Sequence, residues 1–338
     1  MKNQFDPNQC KEERSVHEHL GTYRQKIRDI RDEFSKIVVG QRQILDKMLI
    51  ALFCRGHILL EGAPGMAKTL MVRTLARMSG GTFSRVQFTP DLLPTDITGV
   101  VTYDEQHRFH VIKGPIFANF VLADEINRTP PKVQAALLEA MQERQVTIGK
   151  QVYALEEPFL LLATMNPIET LGTYTLPEAQ LDRFLFKVEM SYPTRQEEEQ
   201  ILSQNINTRN FDDFQLSQIL DKETIMEMQR DVHLIFAGKQ IQRYIINLID
   251  ATRNPSKYGI ESGKYIEYGA SPRASISLFI TAKAHALISN RHFVTPHDIK
   301  MVAPDVLRHR LILNYEAQAE DVKVGDVIKE LLEKVVVP

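Results

Sequence analysis

An eight-residue segment has the residue types and the order that binding of a phosphate chain requires. It reads Gly62-Ala63-Pro64-Gly65-Met66-Ala67-Lys68-Thr69 and follows the apolar run 58–60. A glycine-rich turn between a strand and a helix directs backbone N–H groups at a phosphate, while a lysine reaches the terminal phosphates and a hydroxyl ligates Mg²⁺. The segment predicts a site for ATP with Mg²⁺; a glycine-rich turn with a chance Lys-Thr pair is the alternative.

Ala67 stands where this pattern has its second glycine. Because the loop becomes a helix at this point, we expect Ala67 to have right-handed helical backbone angles, which alanine tolerates. Gly62 and Gly65 remain available for the turn itself. The substitution is therefore predicted to be compatible with phosphate binding.

Two carboxylates, Asp124 and Glu125, follow the apolar run 120–123. The carboxyl ends of strands in a parallel sheet open into the crevice where ligands bind. We therefore expect Asp124 to hold Mg²⁺ through water or the Thr69 hydroxyl, and Glu125 to act as general base on an attacking water. A solvated strand end is the alternative interpretation.

Asn166 ends another apolar run, 160–165, and precedes Pro167. An amide at a strand end can form hydrogen bonds with both a γ-phosphate and the attacking water. Without the neighbouring motifs, a turn residue before proline would be the simpler interpretation.

Two arginines are further candidates. Arg183 precedes the last apolar run, near the domain surface, where a solvated charge or a pair with Asp182 is the alternative. Arg273 follows Ser271-Pro272, which mark the start of a helix, and a cation there opposes the helix dipole. A nucleotide phosphate would favour Arg273 at that position, and a tolerated surface arginine is the alternative.

The elements that must position these residues form an alternating pattern. Five short apolar runs, separated by amphipathic helices, lie at 58–60, 83–88, 120–123, 159–165 and 184–190. This pattern is typical of a parallel sheet buried on both faces. It predicts an α/β fold, a P-loop core of three layers with a parallel sheet, followed by a smaller all-α domain.

We expect a polar, helical N-terminal segment at 1–30, the α/β core at 31–193, and the C-terminal α-helical domain at 194–338, since strand patterns stop past Pro193. Hairpins are predicted near 99–112, with a turn at 104–107, and near 145–155, with a turn at 149–150. Helices are predicted at 23–39 and 45–52, and a further helix is predicted to start at Thr295-Pro296.

Composition and charge restrict the partners, the compartment and the further metal sites that can be expected. A net charge of −2 argues against nucleic acid as a partner, because phosphate backbones select clustered Lys and Arg. The two cysteines, Cys10 and Cys54, predict no disulfide framework and favour a reducing compartment. Since no apolar run approaches the length of a membrane span, we expect a cytoplasmic protein. The ten histidines lack zinc-type spacing, so no other metal site is predicted.

Together these motifs resemble those of the MoxR-type AAA+ ATPases, over roughly residues 30–337. The Phe-Thr-Pro-Asp-Leu-Leu-Pro sequence at 88–94 favours this family over the related magnesium chelatase motor subunits. The resemblance implies a role for each candidate: Walker A for Lys68 and Thr69, Walker B for Asp124 and Glu125, sensor one for Asn166, the arginine finger for Arg183, sensor two for Arg273, and proximity to adenine for Val39, Gly40 and Gln41.

The same resemblance implies a hexameric ring with ATP between subunits, acting as a chaperone-like remodeller of protein partners. Such partners often carry von Willebrand factor A domains or belong to metalloprotein complexes, and the two hairpins would face the ring pore. An arginine finger supplied in trans contributes about 10³–10⁵ in rate, so hydrolysis would depend on assembly. A DNA-translocating motor, a magnesium chelatase-like motor subunit and a non-hydrolysing nucleotide sensor are the alternatives.

Overall fold

The computed structural model of the protein describes residues 7–103, 109–166, 172–204 and 211–337. The chain divides into two compact units, one formed by residues 28–226 and the other by residues 1–27 together with 227–338. The domain limits expected from the sequence stay a prediction.

Helices and strands alternate through the first part of the chain, and helices predominate afterwards. The α-helices are α1 (Pro7–Ser35), α2 (Arg42–Phe53), α3 (Lys68–Met78), α4 (Pro94–Thr98), α5 (Pro131–Glu143), α6 (Glu178–Leu181), α7 (Arg195–Gln204), α8 (Lys222–Leu234), α9 (Lys239–Arg253), α10 (Pro272–Ile288), α11 (Pro296–Leu307), α12 (Tyr315–Ala319) and α13 (Val324–Lys334). The strands are β1 (Ile58–Glu61), β2 (Phe83–Gln87), β3 (Gly99–Tyr103), β4 (Phe109–Lys113), β5 (Phe120–Asp124), β6 (Gln145–Ile148), β7 (Gln151–Ala154), β8 (Leu160–Met165), β9 (Phe186–Glu189), β10 (Ile266–Tyr268) and β11 (Ile312–Leu313).

Five strands of the unit at 28–226 form one sheet in the order β2-β5-β8-β1-β9, and all four pairings are parallel. The central strands are built from apolar residues that are buried on both faces of the sheet, as in the β8 residues 160–163. The predicted α/β fold with a parallel sheet is confirmed. Parallel pairing places all five carboxyl ends at one edge of the sheet, where Gln87 lies opposite Asp124.

One hydrophobic core lies between this sheet and the helices of the same unit. Val121 and Leu161 of the sheet belong to the same buried cluster as Val133 and Leu137 of α5. Each of these side chains is at most 3% exposed. Burial of an aliphatic side chain contributes about 1.5–3 kcal/mol, so this cluster fixes α5 against the strands that end at the candidate site.

Both predicted hairpins are present. β3 pairs antiparallel with β4, from Gly99 opposite Lys113 to Tyr103 opposite Phe109. The predicted turn at 104–107 lies outside the described residues. β6 pairs antiparallel with β7, and Gly149 in the turn between them has a φ of 62°, which glycine adopts without strain.

Two predicted helices are present with shifted limits. α1 begins earlier than the predicted 23–39 and ends earlier, at Ser35, with Ile30 and Phe34 buried. α2 spans the predicted 45–52 and buries eight of its twelve residues. Among the described residues no helix combines the length and the apolar character needed to cross a bilayer.

The unit at 227–338 is mainly helical, as expected. α11 begins as predicted after Thr295, whose backbone N–H and hydroxyl both donate to the Asp298 carboxylate at 2.7 Å. The Asp298 carboxylate thereby satisfies the backbone N–H of the residue that precedes the helix. One feature of this region was not predicted from the sequence, the short antiparallel pair β10–β11. Strands of three and two residues are too short for an alternating pattern to reveal them.

Candidate functional site

The predicted phosphate-binding loop connects β1 to α3. β1 ends at Glu61, and α3 begins at Lys68. Within the loop, Gly65 has a φ of 81°, a left-handed value that glycine adopts freely. The loop therefore has the strand–turn–helix context that the sequence predicted.

The prediction for the backbone of Ala67 was wrong. Ala67 precedes α3 with φ 55° and ψ 23°, which is left-handed rather than right-handed. This conformation costs a residue with a Cβ about 1–2 kcal/mol, which explains why glycine suits the position. Alanine therefore fits the loop only at a cost in backbone strain.

Gly62 is required by close packing rather than by its backbone angles. A Cβ built on Gly62 would lie 2.8 Å from the Cβ of Met190. The Met190 N–H donates to the carbonyl of Glu61 at 2.8 Å, which holds the two chain segments together. The loop therefore starts where a side chain has no room.

Lys68 points its ammonium back into the loop. Its Nζ donates to the carbonyl oxygen of Gly62. Burial lowers the pKa of Lys68 below its usual value, and the negative charges of Asp124, Glu125 and Glu61 oppose that shift. The ammonium is thus held among the backbone of the loop and the acids of the strand ends.

The two predicted acids lie at the carboxyl end of β5, where Thr164 of β8 contacts both. The Thr164 hydroxyl donates to Asp124 Oδ1 at 2.7 Å and accepts from the backbone N–H of Glu125 at 2.8 Å. Glu125 has φ 60° and ψ 50°, so the chain turns sharply after Asp124. Thr164 fixes this turn because a single hydroxyl serves as donor to one acid and acceptor from the other.

β2 supplies two side chains that the sequence analysis missed. Arg85 contacts Asp124 Oδ2 through Nη2 at 2.6 Å and Nε at 3.1 Å. Gln87 Nε2 donates to Glu125 Oε2 at 2.8 Å, and Arg128 Nε lies 3.0 Å from the same oxygen. Arg85 and Gln87 are polar residues two apart on a strand, a spacing that places both on the same face. This spacing indicates contact with Asp124 and Glu125 only once β2 is known to be the neighbour of β5.

One cavity of about 520 Å³ collects most of these groups. Its lining includes Gly62, residues 64–69 of the loop, Asp124, Glu125 and Asn166, all of which the sequence analysis had singled out. Arg85, Gln87 and Thr164 line it as well. Leu70, Phe211 and Phe214 add apolar surface, and the Arg73 guanidinium lies 4.1 Å from the centre of the Phe211 ring.

Other predicted residues do not line this cavity. Ala63 is buried in the loop. Val39, Gly40 and Gln41 lie between α1 and α2, and a Cβ on Gly40 would lie 2.2 Å from Glu197 Oε1. Arg273 is the second residue of α10, in the unit at 227–338, with Ser271 at the N-cap position as predicted.

Arg183 lies on a different part of the unit at 28–226. It is exposed and borders a second cavity, of about 350 Å³, together with Leu138, Glu139 and Gln142 of α5. Its Nη1 donates to the Leu138 carbonyl oxygen at 3.4 Å. Its predicted role, like those of Val39, Gly40, Gln41 and Arg273, stays a prediction.

The groups in the first cavity fit a magnesium–nucleotide complex chemically. Thr69 and Asp124 offer hydroxyl and carboxylate oxygens, the donors that Mg²⁺ prefers. The loop lies at the N-terminal end of α3, where backbone N–H groups and the helix dipole favour a phosphate. Lys68 supplies the cation that a triphosphate requires.

Comparisons with known proteins identify the family of the chain. Residues 57–186 match the ATPase family associated with various cellular activities (AAA), and residues 261–331 match the AAA lid domain. The chain is 47% identical to Chaperone MoxR1 of Mycobacterium tuberculosis, over 90% of this chain and 81% of that protein. It is 33% identical to Protein MoxR of Methylorubrum extorquens, over 90% of this chain and 93% of that protein.

A solved structure from Cytophaga hutchinsonii, provisionally described as an ATPase, is 48% identical to the chain. It superposes with a TM-score of 0.90 over 96% of this chain and 98% of that one. The fold is therefore shared over almost the entire length.

Proposed function

The chain belongs to the MoxR-type AAA+ ATPases, and from this membership we propose that it binds ATP with Mg²⁺ in the 520 Å³ cavity and hydrolyses it. One observation carries the proposal. The phosphate-binding loop and the strand-end residues Asp124, Glu125 and Asn166 line the same cavity, although they are separated in the sequence.

The loop residues account for binding. The backbone N–H groups ahead of α3 hold the phosphates, and Lys68 neutralises charge on the terminal ones. Thr69 and Asp124 would hold Mg²⁺, which would supply positive charge against the phosphate oxygens. Phe211, Phe214 and Leu70 offer apolar surface to the rest of the nucleotide.

Glu125 and Asn166 account for hydrolysis. Glu125 acts as general base on the attacking water, and its position is set by Gln87 and Arg128, which bind its Oε2. Asn166 is 7% exposed and presents an amide to the same cavity, so it can hold the water in line for attack.

We further propose that the active form is a hexameric ring, with Arg183 completing the site of a neighbouring subunit. Arg183 is exposed and lies outside the cavity that contains Lys68 and Glu125. An exposed arginine that its own site does not use is available to a neighbour. Arg273 is proposed to contact phosphate as sensor two, and Val39, Gly40 and Gln41 to contact the adenine.

The proposed outcome of hydrolysis is remodelling of protein partners, such as von Willebrand factor A-domain proteins or metalloprotein complexes. The name Chaperone MoxR1 of the relative supports this class. The exposed side chains of the β3–β4 hairpin also support it, because Val100, Tyr103, Phe109 and Ile112 are 41% to 69% exposed. Exposed apolar side chains suit a protein partner, whereas a DNA motor needs cations against phosphates.

Glu125→Gln tests hydrolysis separately from binding. The amide keeps the shape of the side chain but cannot accept a proton, so we expect unchanged ATP affinity and a fall in phosphate release of about 10²–10⁴-fold. Equal phosphate release by the wild type and Glu125→Gln would contradict the proposed hydrolysis and favour a nucleotide sensor.

A concentration series tests the assembly. The specific activity of the wild type should rise as the protein is concentrated into the range where it associates. The specific activity of Arg183→Ala should be lower than that of the wild type by about 10³-fold or more at every concentration. Specific activity that is constant over the series, together with full activity of Arg183→Ala, would exclude a site shared between subunits.

A further inference from the structure

Both oxygens of the Asp124 carboxylate are bound by side chains of the two strands that flank β5. Arg85 of β2 holds Oδ2 through Nη2 at 2.6 Å and Nε at 3.1 Å. Thr164 of β8 donates its hydroxyl to Oδ1 at 2.7 Å. The two partners differ in kind, because Thr164 is neutral while Arg85 carries a full positive charge in a fork geometry suited to carboxylates.

Arg85 and a divalent cation would compete for the same atom. Asp124 is the carboxylate that holds Mg²⁺ in the proposed function, on which this inference rests. A guanidinium on Oδ2 uses the lone pairs that a metal ion needs, and two cations at that separation repel each other. The Asp124 side chain is only 16% exposed, so there is little room for both to share it.

We propose that Arg85 is a positioning residue that competes with the divalent cation for Asp124 and thereby sets the cation concentration at which the site loads. The Arg85 side chain is 47% exposed, so the guanidinium can leave Oδ2 without breaking a buried contact. Arg85 also lines the cavity, where a phosphate would accept its N–H groups as a carboxylate does.

Arg128 provides a matched comparison. It carries the same charge and lies four residues after the end of β5, but it pairs with Glu125 Oε2 at 3.0 Å rather than with Asp124. Its side chain is 37% exposed, close to the value for Arg85. Removing Arg128 therefore changes the charge of the site as much as removing Arg85 does, while the Arg85–Asp124 pair stays intact.

The test is a titration of the nucleotide-free, full-length protein with Mn²⁺. The EPR signal of the free ion measures how much Mn²⁺ remains unbound. We expect Arg85→Met to bind Mn²⁺ about two- to fivefold more tightly than the wild type, the factor that corresponds to an exposed ion pair of about 0.4–1 kcal/mol. Arg85→Lys keeps the charge but loses the fork, so we expect intermediate affinity. Arg128→Met should change the affinity by a clearly smaller factor than Arg85→Met.

Two results would overturn the competition. Equal tightening in Arg85→Met and Arg128→Met would mean that only net charge matters, and unchanged or weaker Mn²⁺ binding in Arg85→Met would mean that Arg85 does not hold Asp124 against the metal. Asp124→Asn distinguishes these failures from a failure of the proposed function. If Asp124→Asn bound Mn²⁺ as the wild type does, with and without ATP, the metal site itself would be assigned wrongly.

Discussion

The Thr164 hydroxyl donates to Asp124 Oδ1 at 2.7 Å, so a buried side chain of β8 orients the acid that ends β5. A hydrogen bond to a metal-binding carboxylate fixes the direction of its lone pairs, and losing such a partner typically costs 10–100-fold in metal affinity.

Thr164→Val is therefore expected to raise the Mg²⁺ concentration required for half-maximal ATP hydrolysis by about 10–100-fold. Valine has nearly the same shape, but it can neither donate to Asp124 nor accept from the Glu125 N–H. Nucleotide affinity in the absence of Mg²⁺ serves as the control and should change little. An unchanged Mg²⁺ requirement would show that Thr164 does not orient Asp124.

Ala67→Gly should stabilise the protein slightly, by up to about 1.5 kcal/mol. Glycine removes the cost of about 1–2 kcal/mol for a left-handed alanine, but it adds about 0.5–1 kcal/mol of conformational entropy to the unfolded chain. Urea unfolding of the nucleotide-free protein measures the difference. Gly65→Ala, at a residue with φ 81°, is the matched reverse change and should lower the free energy of unfolding. If Ala67→Gly lowered the free energy of unfolding, Ala67 would not have a left-handed backbone.

His57 makes folding stability depend on pH. Its ring is buried, Nδ1 accepts from the Leu161 N–H at 3.1 Å, and Nε2 lies 3.0 Å from the Met141 carbonyl oxygen. Burial first, and then the positive charge of nearby Arg144, lower the pKa of His57 to about 3. The unfolded chain therefore takes up a proton at His57 near pH 6.5, whereas the folded protein does not.

The free energy of unfolding should consequently decrease as pH falls from 6.5 toward 5, with a contribution from His57 of up to about 1.4 kcal/mol per pH unit. The stability is fully present above pH 6.5, because the folded pKa lies below the unfolded value. Urea unfolding at several pH values measures the slope, and His57→Gln, although less stable, should show a smaller one. The same slope in both proteins would mean that His57 is protonated in the folded state.

Phe211 and Phe214 should contribute to the affinity for the nucleoside part of ATP but not to the affinity for its phosphates. Both residues line the cavity, as does Leu70 in the first turn of α3. Stacking of a base on an aromatic ring contributes about 1–3 kcal/mol, so Phe211→Ala or Phe214→Ala should weaken ATP binding about 5- to 150-fold. Inorganic tripolyphosphate, which has no base, should bind wild type and variants equally. A parallel loss for both ligands would show that the rings only support the loop.

Strands and site residues could be predicted from the sequence where the residues that identify them are adjacent in the chain. The apolar runs that become β1, β5 and β8 are long enough to identify buried parallel strands, and the segments at 62–69 and 124–125 carry their chemistry within a few residues. The parallel sheet itself guaranteed that these segments meet, because every strand ends at the same edge.

Contacts in the site could not be predicted from the sequence where they depend on the order of the strands in the sheet. Arg85, Gln87 and Thr164 reach the acids only because β2 and β8 are the neighbours of β5, an order that no local pattern reveals. Phe211 and Phe214 reach the cavity from far along the chain. The backbone of Ala67 was mispredicted because helical angles start one residue later, at Lys68.

The nucleotide affinity and turnover of Lys68→Ala test most directly whether the loop between β1 and α3 binds ATP. If the loop between β1 and α3 holds the phosphates of ATP, this variant should keep its unfolding free energy within about 1 kcal/mol, since Lys68 is partly exposed, and should lose measurable hydrolysis. Its affinity for ATP should fall at least tenfold, the cost of one lost charge-assisted hydrogen bond of about 1.5–3 kcal/mol. A folded Lys68→Ala protein with wild-type ATP affinity and turnover would mean that this loop does not hold the phosphates of ATP.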